Sequence, residues 1–311
     1  MFGALAVRFL EPDSPDARTE TIDMMAYGTV EKQYSASISP NLYFSGGKYH
    51  LDAHFNGSLW TGNYYGIGND TPSEDPLEYD ATSFTGECRF ERRVGRHTYI
   101  GGSYTFRHEA IDSDDGIIWE NANIPGSDGG NQAGPGIALS LDTRDNINDA
   151  RTGIYILLES KWFRESFGSD YDYTVYEFRA NRYFVLPKNT GIAVGAQVRL
   201  SRGDIPFREL SSPDGTDILR GIENGRYRDR DMAALQAEYR FPIKGRWGGT
   251  LFAETAQVVR TFSDLDADGF KYSLGAGVRY ALNPSERFNL RLDAGWVDGG
   301  IGFVLNIREA F

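Results

Sequence analysis

Side chains able to do chemistry are few in this 311-residue chain, and their spacing argues against most of the chemistry they could do. His50, His54, His97 and His108 are the only imidazoles. His50 and His54 fall on one face of an expected strand, but four residues of extended chain separate them by ~13 Å, too far to share a metal ion, so they are read as polar residues lining an interior. Asp264-Leu265-Asp266-Ala267-Asp268-Gly269 opens like a calcium loop, in which alternating carboxylates wrap a hard cation. The twelfth position of such a loop supplies a bidentate glutamate, and here it is Gly275. Asp264, Asp266 and Asp268 are therefore a calcium candidate set against a solvated acidic turn, and the metal-free reading is preferred. No Gly-x-Ser-x-Gly elbow, phosphate loop or His-Glu-x-x-His pair occurs, and Gly275-x-Gly277 reads as small inward-facing residues. Neither a catalytic residue nor a cofactor is expected.

Charge and cysteine usage exclude further classes. With 32 Lys and Arg against 44 Asp and Glu, the net charge of −12 lacks the positive footprint of a nucleic-acid binder. Cys88 is the single cysteine, which rules out an intrachain disulfide or a cysteine zinc site. It shares an apolar face with Phe84, Gly86 and Phe90 and is read as a small lipid-facing residue. Apolar runs are strand-sized, the longest being of the kind seen at Ile154 to Leu158, so no spanning helix is expected. Residues 1–7 have neither the basic start nor the apolar stretch of a signal peptide, which suggests a removed export signal or a fragment.

The elements that must position any site are strands. Phe288, Leu290, Leu292, Ala294 and Trp296 alternate with Asn289, Arg291, Asp293 and Gly295, one apolar and one polar face with a period of two. Phe270, Tyr272, Leu274, Ala276, Val278 and Tyr280 alternate likewise with Lys271, Ser273, Gly275, Gly277 and Arg279, and Asn283-Pro284-Ser285-Glu286 supplies the turn between. The same pattern runs through Ala233 to Phe241, Ile192 to Leu200 and Tyr34 to Phe44. About fifteen strands can be counted, the last spanning 300–311; because bacterial single-chain barrels have an even number, a sixteenth is expected upstream of, or merged into, those counted.

Alternation alone fits a soluble sandwich as well as a membrane barrel. Strand length, a strict alternation of short turns with long loops and aromatics such as Phe270, Tyr280, Phe288 and Trp296 near strand ends favour the barrel. Short turns are expected near 95–96, 187–189, 244–246 and 284–285; long loops near 60–77, 112–134, 204–228 and 261–269. The fold class expected is all-β, a transmembrane antiparallel β-barrel of about 16 strands, with residues 1–311 as one domain.

The last strand, Ile301-Gly302-Phe303-Val304-Leu305-Asn306-Ile307 and onward to Phe311, resembles the C-terminal targeting signal of outer-membrane barrels in its alternating Phe303, Leu305 and Ile307 and its terminal aromatic. Leu219-Arg220-Gly221-Ile222, then Gly225-Arg226-Tyr227 and Glu238-Tyr239-Arg240-Phe241-Pro242-Ile243, resembles the best-known motif of the BamA/TamA bacterial surface-antigen superfamily. There an Arg-Gly-aromatic tripeptide tips the sixth outer loop, which folds back into the barrel, so the resemblance implies a loop plug at Arg220, Gly221 and Ile222. Leu251-Phe252-Ala253-Glu254 is similar to the family's Phe-x-acid element, which implies Phe252 and Glu254 as the plug's partners on the wall. A guanidinium away from bulk water requires such a carboxylate. Asp142-Thr143-Arg144-Asp145 resembles a periplasmic turn of the family, and Tyr65-Gly66-Ile67-Gly68-Asn69-Asp70 an outer-loop signature of its shorter members. Two departures stand out: Ile222 replaces the usual aromatic, and POTRA-like α/β repeats are not expected within these 311 residues.

The resemblance implies an integral protein of the bacterial outer membrane, without enzyme activity, in contact with outer-membrane lipid or lipopolysaccharide and with other envelope proteins. Its role would be in outer-membrane assembly or translocation at a weak seam between first and last strands, or as a barrel subunit of a larger complex. The alternatives are the barrel module of a patatin-like lipase, a passive pore whose selectivity is tuned by Arg199, Glu238, Arg240, Arg279, Arg291 and Asp293, and a soluble β-sandwich binding protein.

Overall fold

The computed structural model describes residues 2–10, 18–113 and 124–311. Fifteen strands are present among them: β1 (Phe2–Leu10), β2 (Glu20–Gly28), β3 (Tyr34–Phe44), β4 (Tyr49–Tyr64), β5 (Leu77–Arg93), β6 (Thr98–Asp112), β7 (Gly129–Asp142), β8 (Gly153–Phe163), β9 (Tyr173–Leu186), β10 (Thr190–Gly203), β11 (Asp231–Lys244), β12 (Trp247–Val259), β13 (Lys271–Asn283), β14 (Phe288–Val297) and β15 (Gly300–Ile307). Each follows one of the fifteen alternating segments. They form one antiparallel sheet in sequence order, every strand paired with the next. No ladder joins β1 to β15, so the sheet is curled but not closed; the expected sixteenth strand is not among the described residues. Its two ends nonetheless touch through side chains. Phe9 of β1 packs edge-on against Phe288 of β14 with ring centroids 5.4 Å apart, and Arg308, just past β15, pairs with Asp23 of β2.

Burial is inverted relative to a water-soluble protein. Large apolar side chains on the strands point outward and stay exposed, among them Ile38, Phe84, Leu235, Leu251, Tyr272, Leu274, Leu292 and Trp296. Charged ones point inward and are buried, among them Glu91, Glu238, Glu254, Arg279, Arg291 and Asp293. A period of two puts opposite chemistry on opposite faces, and only a non-aqueous exterior makes this polarity favourable. Cys88 lies on the exposed apolar face, beside Phe84 and Phe90. Strand length varies around the sheet: β4, β5 and β6 have 16, 17 and 15 residues, whereas β1, β2 and β15 have 9, 9 and 8. The wall is thus lowest where its two edges meet.

Three sequence expectations change. The alternation of short turns and long loops is not strict. The long-loop end also carries the short connections 29–33 and 298–299 near the seam, and the short-turn end carries the longer 143–152. Part of the expected loop 112–134 lies outside the described residues. Phe288, assigned to the outer aromatic girdle, is buried beneath Arg308, close to where the β13–β14 register shifts between Ala281 and Asn283. The last strand ends at Ile307 rather than 311; Arg308 is left-handed (φ 61°), which turns the following residues inward. Phe311 then packs against Ala150, Tyr183 and Ala193.

Candidate functional site

The connection 204–230 between β10 and β11 is the longest on the long-loop end, and it folds back into the interior. Local chemistry shapes it. The Asp214 carboxylate accepts N–H bonds from Thr216, Asp217 and Ile218 at 2.8, 2.7 and 3.0 Å, closing a tight side-chain-capped turn. Leu219 (φ 53°) and Gly221 (φ 96°) then reverse the chain. Packing seats the two limbs of the loop. Phe207, fully buried, meets Tyr64 and Tyr79 edge-on at 5.3 Å each, while Ile218, Leu219 and Tyr227 join Met232, Ala234, Ala256 and Val258 of β11 and β12.

Arg220 is at the tip and is 0% exposed. Its backbone N–H donates to Glu254 Oε2 and its Nε to Glu254 Oε1, both at 2.7 Å, so one carboxylate of β12 fixes main chain and side chain together. Nη1 faces Glu238 Oε1 of β11 at 2.6 Å and Asp293 Oδ2 of β14 at 3.1 Å. The guanidinium carbon lies 3.6 Å from the centroid of the Phe252 ring, and Ser273 of β13 donates to the Arg220 carbonyl at 2.8 Å. The three carboxylates are balanced by further arginines: Arg240 on Glu238 (2.7 Å), Arg279 on Asp293, and Arg291 on Asp293 (3.3 Å). The wall also reaches into the loop, where Arg291 pairs with Asp217 and donates to the Thr216 carbonyl at 3.1 Å.

Glycine makes the approach possible. Gly275, Gly295 and Gly302 are directly registered partners on β13, β14 and β15, and they leave a lane across the inner wall. The Arg220–Gly221 backbone lies on it. A Cβ at Gly295 would stand 2.0 Å from the Arg220 carbonyl oxygen, and one at Gly302 only 1.9 Å from that of Gly221. The next residue, Ile222, is half-buried and packs against the Leu219 cluster.

The segment 65–70 closes over the same loop. The Gly68 N–H donates to the Arg228 carbonyl (2.8 Å), Tyr65 to Glu223 (2.6 Å) and Asn69 to the Gly269 carbonyl (2.6 Å), while Arg226 donates to Thr71. At the opposite end, Asp142 accepts from Arg144 and from Arg18, anchoring 143–152 under the barrel mouth.

Other expected site residues are not gathered with these. Asp264 completes a capping box with Thr261, and Asp266 accepts from the Gly269 N–H. With those carboxylates bound into the turn, the calcium candidates Asp264, Asp266 and Asp268 form no cation cage, and among the described residues no group of three or more His, Cys, Asp or Glu could hold a metal. His50 bonds Glu91 (3.0 Å) and stacks on Tyr43; His54 bonds Ser39 (2.8 Å). Phe303 and Leu305 are 73% and 65% exposed on the outer face, Ile307 is half-buried, and Phe311 is inside. Glu238, Asp293, Ser273 and the Gly295–Gly302 pair were missed as contacts of the loop; inward parity signals that the first three line the interior but not what they meet there.

Asp149, in the 143–152 turn, lies between a like charge and three arginines. Burial and the neighbouring Glu309 push its carboxyl up to about 6, against Arg240, Arg151 and Arg287. A carboxyl raised above its unfolded value favours the protonated fold: its contribution is fully present below the unfolded pKa and is lost as pH rises through 6. Asp149→Asn should therefore raise Tm in detergent by a few degrees at pH 7.5, with the gain vanishing near pH 4. A gain independent of pH would show that the charge is not what is relieved.

Comparison with known proteins agrees with this architecture. Residues 24–299 match the Omp85 superfamily domain. No curated protein matches. Among solved structures, BamA from Haemophilus ducreyi lacking POTRA domains 1-3 superposes with a TM-score of 0.61 at 12% identity, over 99% of this chain and 68% of that one. CdiB from Acinetobacter baumannii superposes with a TM-score of 0.60 at 13% identity, over 92% of this chain and 52% of that one, so the chain spans about half the length of that structure. At such identities the likeness is one of fold.

Proposed function

Because the chain belongs to the Omp85 superfamily, we propose that residues 1–311 form one outer-membrane barrel domain acting in assembly or translocation of envelope proteins, its interior stopped by the 204–230 loop and its activity centred on the β1/β15 seam. The observation that carries this reading is the fully buried Arg220, held by carboxylates from three strands. A passive pore gains nothing from a loop anchored so deeply across its interior. Among the described residues no strand pairs with the outer edge of β1 or of β15, and backbone groups left unpaired at such a seam would be costly in lipid and suited to pairing with an incoming strand. The exposed apolar belt meets lipid hydrocarbon, with outer-membrane lipid or lipopolysaccharide and other envelope proteins as partners.

No catalytic role is assigned to any residue. The reading is tested with proteoliposomes: the full chain should speed the insertion of an unfolded outer-membrane barrel several-fold over empty liposomes, read as the protease-protected folded band. Equal rates, together with a large steady current in planar bilayers, would hand the function to the pore reading.

A further inference from the structure

We infer that Glu309, in the inward-turned segment after β15, is a positioning residue for the 204–230 loop, and that segment and loop hold each other in place through carboxylates they share. The inference rests on the reading of that loop as a docked plug.

Segment 308–311 is bound at every residue but Ala310. Arg308 pairs with Asp23, donates to Thr21 at 3.2 Å and to Asn148 Oδ1 at 2.7 Å, and so bridges the end of β15 to β2. Glu309 accepts from Arg279 Nε at 2.8 Å and from Asn289 at 2.9 Å, and the Phe311 carbonyl accepts from Arg240 at 2.9 Å. Arg279 and Arg240 are also the arginines that balance the carboxylates around Arg220. One path runs Arg220, Asp293, Arg279, Glu309; the other runs Arg220, Glu238, Arg240, and on to Glu309 at 4.0 Å and the Phe311 carbonyl. Each path is a single chain of ion pairs from the loop tip to the short-turn end.

Sharing makes the coupling positive. If Glu309 loses its charge, Arg279 and Arg240 draw closer to Asp293 and Glu238 and compete with Arg220 for them. If Arg220 is removed, those buried carboxylates pull Arg279 and Arg240 inward, away from Glu309. Unpaired charge is costly in such surroundings, so neither end can change without moving the other.

The test uses the full-length protein in proteoliposomes, in a Cys88→Ala background, with Ala310→Cys or Ile222→Cys as reporter and a membrane-impermeant maleimide as probe. Arg220→Ala should raise labelling at position 310 roughly 5- to 10-fold, and Glu309→Gln should raise labelling at position 222 by a similar factor, since coupling is reciprocal. Glu91→Gln, a buried carboxylate outside both paths, should move neither reporter. The coupling is overturned if Arg220→Ala exposes position 222 and leaves 310 unchanged, or if Glu91→Gln moves both as much as the network variants do. Should Arg220→Ala leave position 222 itself unchanged, the docked-plug reading falls and this inference with it.

Discussion

Arg220→Ala should convert a low, flickering planar-bilayer current into a large one with long open times. Removing one partner from a buried charge cluster costs about 3–5 kcal/mol, because the carboxylates left behind stay desolvated, and each 1.4 kcal/mol is tenfold in an equilibrium constant. Here Glu238, Glu254 and Asp293 would all lose Arg220 at once. Release should not be complete. The backbone N–H of residue 220 still reaches Glu254, Ser273 still donates to its carbonyl, and Leu219 and Tyr227 remain packed. Openings should therefore alternate with closures instead of merging into a constant current. Arg220→Lys should fall between the two, since an ammonium keeps the charge but cannot fork between Glu254, Glu238 and Asp293 while lying on Phe252. Large, steady currents from both wild type and variant would mean that the loop does not stop the interior.

How far the site could be read beforehand follows from the range of each interaction. Strand alternation is local: whether Leu274 faces out and Ser273 in depends only on parity, and all fifteen strands were legible from it. Their turns were legible for the same reason, through Pro284, Gly245 and their neighbours. Pairing Arg220 with Glu254 spans 34 positions, and nothing in parity or composition selects that carboxylate; only resemblance to a family pointed to it. Glu238 and Asp293 were recognised as interior residues and assigned to ion selectivity, because inward parity does not tell which interior acid a returning loop will meet. Strand ends were the least legible. Ile307 is followed by a left-handed Arg308, an uncommon conformation for a non-glycine residue that no alternation pattern encodes, and it sends Phe311 inside. That the short connections 29–33 and 298–299 lie on the long-loop end, against a strict alternation, was not legible for a related reason: they flank the low wall at the seam, and wall height is a property of the whole sheet.

Gly302→Ala should also release the loop, less strongly than loss of Arg220, although it removes no contact. Gly302 has no left-handed backbone requirement, and β15 itself would accept alanine at least as well as glycine. The added Cβ would stand 1.9 Å from the Gly221 carbonyl oxygen and 2.6 Å from both its carbonyl and α carbons. Those are backbone atoms, pinned on one side by Arg220 in its carboxylate clamp and on the other by a left-handed Gly221, so no side-chain rotation relieves the overlap. Overpacking of this kind typically costs about 1–3 kcal/mol, equivalent to a shift of roughly 5- to 150-fold toward the undocked loop. Gly57→Ala is the matched control, because a Cβ there meets nothing within 4 Å. Conductance should rise in Gly302→Ala and stay at the wild-type level in Gly57→Ala, with both proteins folded as judged by heat-modifiable migration. The double variant Arg220→Ala/Gly302→Ala should gain much less than the sum of the single effects, since both act on one docking equilibrium. If Gly302→Ala conducts like wild type, the loop tip does not rest on the last strand, and whatever holds it must be sought on β11 and β12 alone.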